Sequence, residues 1–163
     1  MSYFRLIRSK KNQIFVFQPK ERSVTLAHMR LFTHNMLCCN VRACVATSQR
    51  SATAKPLNFP LRIEVAEGGI EQKESEFVPA LAARLLSKLD WEALRTTAAA
   101  LGIAELPAAP PASPEADAAF LKSVHDLVMD IHIVEGALVC PNCARSYPIK
   151  KGIPNMLLRD DEL

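Results

Sequence analysis

The chain has 163 residues, 49% of them hydrophobic and 23% charged, which suits one globular domain with a small second lobe. No stretch approaches the roughly 20 consecutive apolar residues that a membrane span needs, so no membrane partner is expected. The net charge of +3 is unevenly spread: residues 1–28 hold six basic and one acidic side chain, while the other 135 hold 14 basic and 16 acidic. The body is therefore slightly acidic and lacks the clustered positive field of a surface that binds RNA by itself.

Residues 1–28 read as a separable extension, either a disordered tail, a segment upstream of a natural start at Met29, or an Arg- and Lys-rich targeting stretch. No signal peptide is recognisable, so a reducing compartment is expected, where disulfides are rare. Met29 to Asn40 predicts a strand or short helix entering a cysteine knuckle. Ala46 to Asn58 is rich in small polar residues and predicts a surface loop. Over the run Phe59 to Val65 apolar Leu61, Ile63 and Val65 alternate with Arg62 and Glu64, the period of a half-buried strand, and Gly68-Gly69 ends it.

Phe77 to Leu89 predicts a helix with Leu81, Leu85 and Leu89 as its apolar stripe, Leu86 beside them and Pro79 near its start. Asp90 is placed to cap a second helix carrying Trp91, Leu94, Ala98 and Leu101, which Gly102 ends. Pro107 to Pro114 holds four of the eleven prolines and reads as a linker. Ser113 and Pro114 predict the start of a third helix, with Phe120, Val124, Leu127, Val128 and Ile131 on its apolar face. Beyond Asp130 short strands are expected, with Glu135-Gly136 as a tight hairpin turn and Lys150-Lys151-Gly152 as another turn.

Five cysteines carry the chemistry. Cys140 and Cys143 form a Cys-x-x-Cys knuckle, and Cys39 and Cys44 a second pair with four residues between. Together they supply the four soft ligands of a closed tetrahedral zinc site, one ion per chain. Such an ion would staple the two ends of the chain and loop out the three helices, contributing folding free energy that short strands lack. Cys38 could take the place of Cys39, the Cys-x-x-Cys could be a thiol redox pair, or the cysteines could be unliganded and buried. His28, His34, His125 and His132 show no metal or triad spacing and read as surface or core residues. No phosphate loop, nucleophile elbow or paired catalytic acids can be found, so no catalytic residue is expected.

Several segments resemble a known family. They are Met29 to Leu37, the Cys39/Cys44 pair, Phe77 to Trp91, Phe120 to His125, Val134 to Cys143, Tyr147-Pro148-Ile149 and Lys151 to Leu158. In these the chain is similar to the multifunctional methyltransferase subunits, the activator subunit "one-twelve" of tRNA methyltransferases. The likeness covers about 29–158, leaving out the loop 45–58 and the linker 104–114. It implies an α+β fold with a zinc-ribbon-like β domain built from both chain ends (29–75 and 130–163) and an inserted three-helix lobe (76–129).

The same resemblance implies a non-catalytic subunit that activates and stabilises methyltransferases acting on tRNA, ribosomal RNA and a translation release factor. Its partners would be several catalytic subunits, bound as heterodimers in cytoplasm and nucleus. S-adenosylmethionine and RNA would be met mainly through those partners. Zinc would be held by Cys39, Cys44, Cys140 and Cys143. The apolar run Ile153, Pro154, Asn155, Met156, Leu157 and Leu158 either packs into its own zinc domain or is the candidate partner-binding segment, with Pro154 suited to an edge strand that could add to a partner's sheet. The contrasting reading is a free-standing zinc ribbon that binds nucleic acid.

Overall fold

In the computed structural model, residues 28–51, 55–104 and 106–163 are described, together with the backbone of a short antiparallel pair, β1 (Phe4–Arg5) with β2 (Gln18–Pro19). The expectations for residues 1–27 otherwise fall outside the described residues. The fold is α+β. Strand β3 (Met29–Arg30) runs directly into a single helical turn, α1 (Leu31–His34), and α2 spans Arg42–Arg50. Strands β4 (Arg62–Val65) and β5 (Ile70–Gln72) precede the helices α3 (Pro79–Leu86), α4 (Trp91–Ala100) and α5 (Ala118–His125). Strands β6 (Ile131–Ile133), β7 (Gly136–Val139), β8 (Ser146–Lys150) and β9 (Ile153–Pro154) follow.

The strands from β3 onward form two antiparallel sheets, one ordered β3-β6-β5 and the other β4-β7-β8-β9. Both therefore mix strands from the beginning and the end of the chain. One core cluster holds Met29, Leu61, Ile133, Leu138, Tyr147 and Ile149 around the buried cysteines. A second holds Leu31, Leu94, Ala98, Val124, Leu127, Val128 and Ile131 among the helices. Ile63, Ile70 and Leu101 pack against both, so the two cores are continuous.

The helix ends follow local chemistry. Asp90 accepts a hydrogen bond from the Ala93 amide at 2.8 Å and caps α4, as its position predicts. Its backbone also exchanges bonds with the Asn35 side chain, tying α4 to the turn after α1. Gly102, at φ +65°, ends α4, and the Ile103 amide reaches back to the Ala98 carbonyl.

Four readings need correction. The helix expected over 77–89 is shorter, and of the Leu81/Leu85/Leu89 stripe only Leu89, which lies beyond its end, packs on the helical core. Ala82 is buried while Leu81 is 40% exposed, because Leu86, Leu89 and Ala82 turn toward the rest of the protein. Residues Ala46 to Arg50, read as loop, continue α2, since no glycine or proline interrupts them before Ser51. The third helix is not capped by Ser113. Pro114–Ala116 forms a separate 3-10 turn, and Asp117 caps α5 by accepting from the Phe120 amide at 2.9 Å. The chain then widens into a π turn over Asp126–Asp130 and passes straight into β6.

The fourth correction concerns Glu135-Gly136, which is a crossing between sheets and not a hairpin. The Gly69 carbonyl accepts from both Val134 and Glu135, and the Ala66 amide donates to the Glu135 carbonyl. These bonds turn the chain from β6 in one sheet to β7 in the other. Gly136 is required there: its φ is +153°, and a Cβ would lie 2.3 Å from the Glu64 carbonyl oxygen.

Candidate metal centre

The two cysteine pairs meet. Cys39, Cys44, Cys140 and Cys143 place their sulfurs within 4.8 Å of one another, although 96 residues separate Cys44 from Cys140. The closest approaches cross between the pairs: Cys39 to Cys143 and Cys44 to Cys140, each 3.6 Å. That is too long for a disulfide, near 2.05 Å. It is close to the edge of a sulfur tetrahedron, about 3.8 Å for Zn–S distances near 2.3 Å. The donor set therefore fits a divalent, thiophilic ion with four sulfur ligands.

Each cysteine is placed by its own element. Cys140 closes β7, and Cys143 lies in the tight loop before β8. In that loop the Cys140 amide donates to the Arg145 carbonyl at 2.9 Å and the Ala144 amide to the Cys140 carbonyl at 3.0 Å. Ala144 takes a positive φ of 57° to make the turn. Cys44 sits in the first turn of α2, where unpaired helix amides favour a thiolate. Cys39 is fixed by Asn58. Its amide donates to the Asn58 carbonyl at 3.1 Å, and the Asn58 side-chain amide donates to the Cys39 carbonyl at 2.8 Å. Ser48, from α2, donates its hydroxyl to the Asn58 side chain and so ties the two ligand segments together.

Cys38 lies outside the cluster, its thiol turned to the Asn40 side chain at 3.6 Å. Of the two adjacent cysteines, Cys39 is the one that faces the other sulfurs. The Cys-x-x-Cys lies between two strands, unlike a redox pair that opens a helix. Burial raises the Cys44 thiol pKa well above its ordinary value; the neighbouring Cys140 and Cys143 push the same way, and Asn142 opposes them. Without a cation this group stays protonated, and a bound dication reverses that preference.

Two polar donors to sulfur carry no sequence motif. Tyr147, fully buried on β8, directs its hydroxyl to Cys39 Sγ at 3.1 Å. Asn142, between the two C-terminal cysteines, donates its side-chain amide to Cys44 Sγ at 3.1 Å. Burial, and then the Cys39 sulfur, push the Tyr147 phenol upward, so it remains a proton donor.

The apolar run 153–158 divides in two. Pro154 pairs with Ile149 at the edge of the four-stranded sheet, and Met156 and Leu158 pack onto the first core. Ile153 and Leu157 face outward, 56% and 78% exposed. Arg145 and Glu162 form an ion pair at 3.0 Å, and Arg145 also donates to the Leu157 carbonyl. A further apolar cleft of about 850 Å³, unannounced by any motif, lies between β4 and α4, lined by Leu57, Phe59, Pro60, Ile63, Ala100 and Leu101.

His125 is a core residue, edge-on to Phe77. The nearby Ser75 hydroxyl donates to Asp130 at 2.6 Å, leaving its oxygen only 3.4 Å from the His125 ring. With its proton on Asp130, Ser75 is not set up as a nucleophile with His125 as base.

This is a small α+β protein with a four-cysteine, metal-sized cluster joining its two ends. A family model described as Trm112p-like protein matches residues 30–152, and the chain belongs to that family. It is 42% identical to the Arabidopsis thaliana "Multifunctional methyltransferase subunit TRM112 homolog A", covering 83% of this chain and all of that relative. It is 39% identical to the Mus musculus "Multifunctional methyltransferase subunit TRM112-like protein", covering 82% of this chain and 98% of that one. It is 36% identical to the "Multifunctional methyltransferase subunit TRM112" of Saccharomyces cerevisiae, covering 80% and 96%. A solved E. cuniculi Mtq2-Trm112 complex matches at 18% identity and TM-score 0.40, over 79% of this chain and 95% of that one, a likeness too slight to support a conclusion.

Proposed function

We propose that the chain is a non-catalytic subunit that binds, stabilises and activates S-adenosylmethionine-dependent methyltransferases of the translation apparatus, with tRNA, ribosomal RNA and a release factor as their substrates. The observation that carries this is its 42% identity, along the whole length of the relative, to a protein named a multifunctional methyltransferase subunit. One zinc ion held by Cys39, Cys44, Cys140 and Cys143 would be structural, since four protein sulfurs leave no open position for substrate or water. The β portions 29–75 and 130–163 would then form a zinc-ribbon-like platform, and 76–129 a helical insert. Most of the second core cluster comes from helices inside that insert, although Leu31 and Ile131 join it from the β portions.

Ile153 and Leu157 supply exposed apolar contact on the edge strand β9 and just beyond it. A methyltransferase sheet could extend across that edge by strand addition. Covering the partner's apolar surface would favour its folded, cofactor-competent state through linked equilibria, so activation requires no reacting group in this chain. S-adenosylmethionine would be held by the partner.

The test is purification of the tagged chain from its own cells, followed by mass spectrometry and a methyl-transfer assay. Several methyltransferase catalytic subunits should co-purify, and the isolated chain should transfer no methyl group. Recovery of none of them, or methyl transfer by the chain alone, would reject the proposal.

A further inference from the structure

Four thiolates around a dication carry a net charge of −2, and three of the four cysteines are buried. Negative charge on buried sulfur must be offset by nearby hydrogen-bond donors. Side-chain donors reach two of the sulfurs, and both do so in the same sense. Tyr147 donates to Cys39 at 3.1 Å, and Asn142 donates to Cys44 at 3.1 Å. The donors belong to the C-terminal half and the acceptors to the N-terminal pair, separated by 108 and 98 residues. They span the same junction that the metal would span.

The Tyr147 hydroxyl donates directly to Cys39 Sγ from a fully buried ring. Asn142 also reaches the Cys44 carbonyl, at 3.4 Å, so its side chain bridges sulfur and backbone of one ligand.

We propose that Tyr147 and Asn142 are positioning residues for the metal: their hydrogen bonds hold the Cys39/Cys44 pair against the Cys140/Cys143 knuckle and govern how slowly the ion is released. The proposal rests on the metal reading above and adds to it two residues that are not ligands. Removing such an outer donor ordinarily costs about 10- to 100-fold in metal affinity. The loss falls mainly on the release rate, because the four ligands remain in place.

The experiment uses the full chain, loaded with Zn²⁺ or with Co²⁺ as a spectroscopic substitute, in wild-type, Tyr147→Phe and Asn142→Ala forms. Zinc transfer to a chromophoric chelator gives the release rate. The sulfur-to-cobalt charge-transfer band reports the electron density on sulfur, which loss of packing alone would not move. Each variant should release zinc about 10- to 100-fold faster. Each should shift the charge-transfer band to lower energy, while near-ultraviolet circular dichroism in excess zinc stays like wild type. Asn142 is only half-buried, so its variant gives an answer even where Tyr147→Phe fails to fold. Release rates and bands equal to wild type in a folded variant would overturn the proposal, as would faster release with an unshifted band. A wild-type chain that takes up neither ion would overturn the metal reading itself.

Discussion

Replacing Ile153 and Leu157 together by alanine should weaken partner binding and leave the fold intact. These side chains are 56% and 78% exposed in the free chain, so their truncation opens no cavity. The stability change should stay within about 0.5 kcal/mol, as for other surface substitutions. A partner that covers them gains part of the roughly 1.5–3 kcal/mol available from burying such a side chain. Taking about 1–2 kcal/mol for each, the double variant loses about 2–4 kcal/mol of binding, or roughly 30- to 700-fold in Kd. The contrast is Ile149, 1% exposed on β8, whose replacement by alanine should cost about 2–5 kcal/mol of stability. The assays are urea unfolding and calorimetric titration against a co-purifying methyltransferase. Unchanged affinity in a folded Ile153/Leu157 double variant would refute the reasoning, and so would a stability loss above about 2 kcal/mol.

Three further outcomes follow from the structure. Asp90→Ala removes the cap of α4 and should cost about 1 kcal/mol in denaturant unfolding, whereas an unchanged midpoint would mean the cap is idle. Gly136→Ala drives a Cβ toward the Glu64 carbonyl at a positive φ and should cost about 3 kcal/mol, read as a lowered melting temperature. Burial lowers the His34 pKa below its ordinary value, against the opposing hydrogen bond to the Leu61 carbonyl. The unfolded chain then binds the proton more readily than the folded one, so stability is full above about pH 6.5 and falls below it. His34→Gln, which retains a donor for Leu61, should flatten that slope by up to about 1.4 kcal/mol per pH unit, and equal slopes in both proteins would contradict it.

Much of the frame was legible because it depends on local chemistry. Asp90 before Trp91, Gly102 after Leu101 and the alternation around Ile63 each declare an element within a few residues, and each lies where its pattern predicts. The convergence of the cysteines was legible because two close pairs have the spacing of a ligand set. What sequence spacing could not reveal depends on contacts across the fold. Glu135-Gly136 has the composition of a hairpin turn, but the Glu135 amide donates to the Gly69 carbonyl and its carbonyl accepts from the Ala66 amide, both far upstream. Leu81 and Leu85 of α3 fit helical period, yet Ala82 and Leu86 meet the core because packing sets the helix rotation. Within the run 153–158, hydropathy alone does not separate Leu157, which faces outward, from Leu158, which packs inward. Tyr147 reads as an ordinary core strand residue, and its role toward Cys39 exists only once 108 residues of chain have closed.

Both cysteine pairs converge on one metal-sized site. X-ray absorption at the zinc edge, with elemental analysis of the full chain purified from its own cells, tests that most directly. The expected result is one zinc per chain with four sulfur neighbours at about 2.3 Å and no nitrogen or oxygen ligand. Fewer than four sulfurs around the ion, or a native chain that carries no metal, would contradict it.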